Sequence, residues 1–156
     1  MTFAVRVILA LCLAVGASVP SSGRASVIPA QSTKRLEARC EGASTQVETE
    51  NCYTAAAERS RAEVERAFER NLRTAAAMDS DFNAYARGRH ILGSSLAQQL
   101  KASQAAWLRY SQSQCSFEGG SSFGGSGTDI LEAACHYRLN SQRLLELKAA
   151  AQLLNR

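Results

Sequence analysis

The two histidines are the first residues to consider for chemistry, because a catalytic or metal site in this chain would draw on them. His136 directly follows Cys135, which could begin a Cys/His ligand set. The sequence has no further ligands at the spacing that a closed tetrahedral metal site needs. If Cys135 is oxidised in a disulfide, its sulfur cannot bind a metal. His90 lies in an arginine- and glycine-rich stretch, where a solvated surface role is expected. We therefore expect no catalytic residue, no metal and no cofactor, and a protein that is not an enzyme.

The glycine-rich segment 116–128 is the second candidate. It lacks the Gly-Lys-Ser/Thr ending of a phosphate-binding loop and follows a predicted helix instead of a strand. Five glycines in thirteen positions favour a loop, because glycine loses much backbone entropy in a helix. Phe117 and Phe123 are its only large apolar side chains and Glu118 is its only charge before Asp129, so these three are predicted to contact a partner. The alternative is a mobile connector whose phenylalanines cover the end of the fold.

Four cysteines would anchor this segment and the start of the domain. Cys12 lies in an apolar leader and is expected to be removed with it, which leaves an even set: Cys40, Cys52, Cys115 and Cys135. In an oxidising compartment this set predicts two disulfides. Three pairings are possible. Pairing Cys40 with Cys52 and Cys115 with Cys135 is favoured because it needs the least chain rearrangement.

Residues 1–25 have the pattern of a secretory signal peptide, with a basic start, an apolar stretch and small residues for cleavage at Ala17 or Ala25. The apolar stretch of about a dozen residues is shorter than the ~20 that a permanent membrane helix needs. We expect a periplasmic or secreted protein with no stable membrane insertion after cleavage.

The charge of the chain argues against nucleic acid as a partner. The formal net charge is +4 and the pI is about 9.0. The leader contains Arg6 and Arg24 and no acidic residue, so the charge after cleavage is about +2. This is too little for a dedicated nucleic-acid surface, and an exported protein meets little nucleic acid.

The secondary-structure elements that position the candidate site residues and the cysteines are all predicted to be helices. Residues 26–39 lack a sustained period and are expected to form a flexible N-terminal arm before a single domain, residues 40–156. A long amphipathic helix is predicted from Thr45, with an interruption at residues 79–81. A second helix is predicted from about Ser94, with Trp107 and Tyr110 on its apolar face, and a third after Asp129. We expect an all-α fold, a small bundle of about three helices stapled by two disulfides.

Several of these features together resemble the LprI-like lysozyme-inhibitor family. The resemblance rests on the run from Gln104 through Trp107 to Cys115, on Gly-Gly-Ser at 124–126, on Cys135 and on the stretch 139–147 around Arg143. Cys40 and Cys52 are similar to the family's N-terminal cysteine pair. The resemblance spans residues 40–148. Trp107 and Arg143 stand at its motif positions, and we expect both to lie near the disulfide-closed end of the bundle and to have structural roles.

The chain departs from the family pattern at a few polar positions. Ser111 and Gln112 replace an Arg-Asp pair, Asn140 replaces a threonine, and Arg61 and Glu65 replace an aspartate and an asparagine. Fold is therefore expected to transfer better than function.

The resemblance implies an exported cell-envelope binding protein that inhibits lysozyme. The alternative is a non-catalytic periplasmic structural or stress-related helical protein that binds another envelope component. The partner is accordingly lysozyme or another envelope protein.

Overall fold

The structure is a computed structural model that describes residues 28–89, 93–125 and 127–156. This part of the chain contains four α-helices and no strand: α1 (Ile28–Cys40), α2 (Gln46–Ala86), α3 (Leu96–Gly120) and α4 (Thr128–Leu154). The all-α prediction is confirmed, whereas the expected count of about three helices is one too low. The predicted leader, residues 1–25, and His90 lie outside the described residues.

The three longer helices pack as a bundle. Short connections reverse the chain direction after α2 and again after α3, so α3 runs antiparallel to both neighbours. The α2 and α4 helices run parallel, since Asn140 Nδ2 lies 3.2 Å from the carbonyl oxygen of Ala57 and Asn71 Nδ2 lies 2.7 Å from that of Leu147. With 41 residues α2 is about 60 Å long, and it is the longest element of the bundle.

Helix α1 occupies the residues for which a flexible arm was expected, and that expectation is wrong for residues 28–39. Leu36 and Cys40 are fully buried and pack on Tyr53 and Ala56 of α2. A helix of 13 residues is marginal in water by itself, so this tertiary packing is what stabilises it. The helix packs through Leu36 and Cys40, which are one turn apart, and two such positions are too few to show a sustained period in the sequence.

Helix α2 continues through residues 79–81, where an interruption was predicted. Asp79 is a capping residue, as its type suggests, but it lies within α2 and caps the start of α3. Its carboxylate accepts hydrogen bonds from the Ser95 hydroxyl at 2.6 Å and from the backbone amides of Leu96 at 2.8 Å and Ala97 at 3.0 Å. These amides have no partner within α3 because they lie in its first turn. Asp79 therefore joins the C-terminal part of α2 to the first turn of α3.

We expect the Asp79 cap to make stability depend on pH. The hydrogen bonds from Ser95, Ala97 and Leu96, in that order, hold the pKa of Asp79 below its ordinary value, against a smaller opposing effect of desolvation. A lowered folded-state pKa means that the stabilisation is present above the unfolded-state pKa and is lost as pH falls through the folded-state pKa. Asp79→Ala should therefore destabilise the protein at pH 7, and its difference from wild type should shrink towards pH 3.

Urea unfolding of wild type and variant across this pH range measures the effect. Asp81→Ala is the matched control, because Asp81 is an exposed aspartate on the same helix two residues away. A difference between wild type and Asp79→Ala that stays constant with pH would contradict the capping role.

The core contains few large aliphatic side chains and many small or polar ones. Three buried clusters lie in the described part of the bundle: Leu36, Cys40, Tyr53 and Ala56; Val64, Ala67 and Leu147; and Cys115, Cys135 and Leu139. The α3 helix buries mainly polar or small residues, namely Gln104, Ser111, Cys115 and Gly119. Tyr110, which was expected on the apolar face, is 55% exposed. Among the described residues, every buried side-chain nitrogen or oxygen has a hydrogen-bond partner.

Two disulfides hold the same end of the bundle. Cys40 is bonded to Cys52, which ties α1 to α2, and Cys115 is bonded to Cys135, which ties α3 to α4. The favoured pairing is confirmed. Cys40, Cys52, Cys115 and Cys135 therefore have no free thiol, and none of them is available as a nucleophile or a metal ligand.

Candidate functional site

The loop between α3 and α4 is shorter than the sequence predicts. The α3 helix continues to Gly120, so the loop begins at Ser121 instead of residue 116. The helix tolerates glycine here because α3 and α4 approach closely. A Cβ atom at Gly119 would lie 3.1 Å from the carbonyl oxygen of Thr128 and 3.3 Å from the Cβ of Glu132. The close approach thus needs a glycine inside the helix, which offsets the entropy cost on which the loop prediction relied.

Side-chain hydrogen bonds order the loop that remains. The Ser122 hydroxyl donates to the carbonyl oxygen of Gly119 at 2.9 Å and lies 2.6 Å from the Thr128 hydroxyl, which in turn donates to the carbonyl oxygen of Gly125 at 2.9 Å. Ser121 donates to the carbonyl oxygen of Glu118 at 2.6 Å. These bonds connect both ends of the loop, and the Cys115–Cys135 disulfide joins the helices that carry it.

Phe123 stands at the tip of this loop. Its side chain is 98% exposed and its φ is +52°, a left-handed backbone conformation that is uncommon for residues other than glycine. Phe117, on the last turns of α3, is 74% exposed. The alternative of a mobile connector supposed that Phe123 covers the end of the bundle, and its exposure contradicts that. A large apolar side chain held in water by a strained backbone is a feature that binding sites use.

Glu118, the third residue predicted to contact a partner, is engaged within the fold. Its carboxylate accepts hydrogen bonds from Arg138 Nη2 at 2.6 Å and from Gln114 Nε2 at 2.8 Å. Desolvation raises the pKa of Glu118, but these hydrogen bonds and the charge of Arg138 outweigh it and hold the pKa below its ordinary value. Glu118 therefore ties the end of α3 to α4 and holds the base of the loop.

An open groove of about 440 Å³ lies between α2, α3 and α4, and this volume is typical of ligand sites. Its floor and walls are formed by Thr54, Ala57, Glu58 and Arg61 of α2, Trp107, Leu108, Ser111 and Gln112 of α3, and Asp129, Glu132, Ala133, His136 and Asn140 of α4. Sequence reasoning did not assemble this group, because its members come from three helices with no shared local pattern.

The positions at which the chain departs from the family pattern gather at this groove. Arg61, Ser111, Gln112 and Asn140 all line it. Glu65 lies next to it and accepts a hydrogen bond from Arg61 Nε at 3.0 Å. The groove is thus the place where this chain differs in chemistry from the pattern that it resembles.

Ser111, His136 and Glu132 form a chain of polar contacts in the groove without the geometry of a nucleophile. The Ser111 hydroxyl lies 3.4 Å from Nδ1 of His136, and Nε2 of His136 lies 3.8 Å from a carboxylate oxygen of Glu132. Both separations exceed the range of a strong hydrogen bond. Ser111 is also in the middle of α3, where the backbone amides are used within the helix and cannot form an oxyanion hole. The arrangement suits recognition of a ligand better than acyl transfer.

Trp107 and Arg143 lie together beside the groove. Trp107 is half-buried and packs on the Val64, Ala67 and Leu147 cluster, and the guanidinium of Arg143 lies 5.8 Å from its ring centre. Arg143 is only 8% exposed. It lies eight residues beyond Cys135 on α4, about 12 Å along the helix, and so belongs to the middle of the bundle and not to its disulfide-closed end.

Arg143 organises the buried polar layer of the bundle. Its guanidinium donates to the side chains of Gln104 at 3.1 Å, Ser103 at 3.1 Å and Glu146 at 2.8 Å. The bonds to Gln104 and Ser103 join α4 to α3, and the bond to Glu146 lies within α4.

Neither a membrane-spanning helix nor a cluster of potential metal ligands occurs in residues 28–89, 93–125 and 127–156.

Comparison with known proteins agrees with the resemblance noted from the motifs. No curated protein and no solved structure matches the chain. The family model described as lysozyme inhibitor LprI matches residues 37–147, which is well over half of the chain and includes both disulfides and the loop. The chain therefore belongs to the lysozyme inhibitor LprI family.

Proposed function

We propose that this protein is an exported cell-envelope binding protein that inhibits lysozyme through the loop between α3 and α4. The observation that carries the proposal is the side chain of Phe123, which is 98% exposed at the tip of a loop tied at both ends. Membership of the lysozyme inhibitor family supports lysozyme as the partner.

The order of the loop favours binding. A flexible loop loses conformational entropy when a partner fixes it, whereas a loop already held by hydrogen bonds and a disulfide loses less. The Ser122–Thr128 contact and the Glu118–Arg138 ion pair restrict this loop before any partner arrives. The aromatic ring of Phe123 can then enter a cleft as a preformed anchor, the kind of residue that dominates interface energies.

The protein has no catalytic part in this proposal. An inhibitor of this kind blocks access of substrate to the enzyme's cleft and undergoes no reaction itself. The ion pair of Glu118 with Arg138 gives Glu118 a second role in this proposal, because it positions the base of the loop.

The test measures lysozyme activity on a cell-wall suspension by loss of turbidity, with and without purified protein. Replacing both Phe117 and Phe123 with alanine should abolish most of the inhibition while helicity and melting temperature stay unchanged, because both rings are exposed. The matched control is Val47→Ala with Leu153→Ala, which removes two apolar side chains that are 67% and 62% exposed on other parts of the surface.

Full inhibition by the phenylalanine variant would refute the loop mechanism. Absence of inhibition by the wild-type protein would refute lysozyme as the target, and would favour the alternative of a non-catalytic periplasmic structural or stress-related protein that binds another envelope component.

A further inference from the structure

The groove between α2, α3 and α4 is lined by both apolar and acidic side chains. Trp107 and Leu108 supply apolar surface, and Leu108 is 51% exposed. Three carboxylates, those of Glu58, Asp129 and Glu132, line the same groove. Such a combination suits a long side chain with an apolar stem and a polar tip.

The charges around the groove are unbalanced. Arg61 is the one arginine or lysine among the described lining residues, and its guanidinium is paired with Glu65, which lies outside the lining. His136 also faces the groove from α4 and lies 3.8 Å from Glu132. The α2 wall thus has Glu58, Arg61 and the adjacent Glu65, and the α4 wall has Asp129, Glu132 and His136. With Arg61 and Glu65 cancelling each other, carboxylates predominate, although the whole chain is basic.

We propose that this groove is a docking site for a basic side chain, arginine or lysine, of the protein partner. The apolar stem of that side chain would lie along Trp107 and Leu108, and its cationic end would face Glu58, Asp129 and Glu132. Tryptophan is the best aromatic platform for a cation. Charge complementarity favours this occupant, because the three carboxylates would attract a cationic side chain and repel an acidic one.

This inference rests on the proposed function for the identity of the partner and extends it. An overall charge of about +2 after cleavage of the leader offers no general attraction for a cationic protein. The groove concentrates negative charge on one side of the bundle, so that it could orient a cationic partner locally while the α3–α4 loop makes the apolar contact.

Trp107 allows the groove to be tested directly, because it is the only tryptophan in the chain. The probe is a blocked tetra-arginine peptide, and its neutral control is the peptide with citrulline in place of every arginine. Titration into the purified protein, followed by tryptophan fluorescence, reports occupancy of the groove. We expect the arginine peptide to shift the emission and the citrulline peptide to leave it unchanged.

Removing the negative charges that line the groove should weaken the binding of the arginine peptide. The triple variant Glu58→Gln, Asp129→Asn and Glu132→Gln is expected to lower the affinity for the arginine peptide about tenfold, as loss of three partly exposed ion pairs would. The control triple is Glu63→Gln, Glu69→Gln and Asp81→Asn. It changes the net charge equally, at exposed positions that do not line the groove, and should lower the affinity less than about twofold.

A single substitution provides a second measurement should the triple variant fold poorly. Gln112→Lys places a positive charge at an exposed lining position and should also weaken peptide binding. Equal losses in the groove triple and the control triple, or an emission that does not respond to the arginine peptide, would overturn the proposal.

The lysozyme turbidity assay, run in parallel, separates the two proposals. Peptide binding at Trp107 with no lysozyme inhibition by the wild type would leave the groove as a basic-side-chain site and remove lysozyme as the partner. Inhibition by the wild type with no peptide response would leave the proposed function and remove the groove.

Discussion

Replacement of Arg143 with methionine is expected to lower the free energy of unfolding by about 2 to 4 kcal/mol, because it leaves polar partners of the guanidinium without hydrogen bonds. Arg143 is 8% exposed and donates to the side chains of Gln104, Ser103 and Glu146. Gln104 is itself buried at 7% exposure, so its amide oxygen would have no substitute donor in the variant. Glu146 is half-exposed and can be rehydrated, which limits the loss.

Chemical denaturation of the wild type and the variant measures this difference. Arg61→Met is the matched control, because Arg61 also forms an ion pair on a helix, with Glu65, but its side chain is 72% exposed. The control should change stability by less than about 0.5 kcal/mol, the range of exposed ion pairs. Adding Gln104→Leu to Arg143→Met should recover part of the loss, since removing both partners of a buried hydrogen bond costs less than removing one. Equal stability of Arg143→Met and wild type would contradict a structural role.

Replacement of Trp107 with alanine is expected to lower the free energy of unfolding by about 3 kcal/mol, at the lower end for loss of a large aromatic ring. Part of the ring packs on the Val64, Ala67 and Leu147 cluster. The variant loses these contacts and leaves a cavity beside the cluster. The cation–π contact with Arg143, at 5.8 Å, would also be lost. The ring is only half-buried, because its other side lines the groove, and this reduces the expected effect.

Thermal or urea unfolding measures the Trp107 effect, and Tyr110→Ala is the control. Tyr110 is an aromatic residue one turn further along α3, but it is 55% exposed, so its loss should change stability by less than about 0.5 kcal/mol. Because Trp107 and Arg143 are in contact, the double variant should lose less than the sum of the two single losses. An unchanged melting curve for Trp107→Ala together with altered peptide binding would assign Trp107 to ligand recognition instead of to the core.

Helices α2, α3 and α4 were predictable because their signals are local. Thr45 and Glu48 form the predicted capping box at the start of α2, and apolar residues such as Val64 and Ala75 recur at helical spacing along it. The cysteine pairing was also foreseeable, since each bonded pair is close in sequence and spans a single helix connection.

The C-terminal ends of α2 and α3 were not predictable, because contacts that are distant in sequence set them. Asp79 looks like a helix break in the sequence, yet it caps α3, sixteen to eighteen residues further along the chain. Gly119 looks like a loop residue, yet it lies in α3, where α4 passes so close that a Cβ atom would lie 3.1 Å from the carbonyl oxygen of Thr128. Local propensity is a weak preference, and tertiary contacts of this kind override it.

The amino-acid sequence by itself determined the class of fold and the family of this protein and favoured one of three disulfide pairings, because apolar periodicity, cysteine spacing and short motifs are local features of the sequence. Only the tertiary structure decided that α1 is a helix, that Glu118 is engaged with Arg138 and that Phe123 is exposed. It also decided that Glu58, Trp107 and Glu132 line one groove. These outcomes depend on which helix faces pack together, and that choice is made by buried contacts such as those of Arg143, between residues about 40 positions apart in the chain.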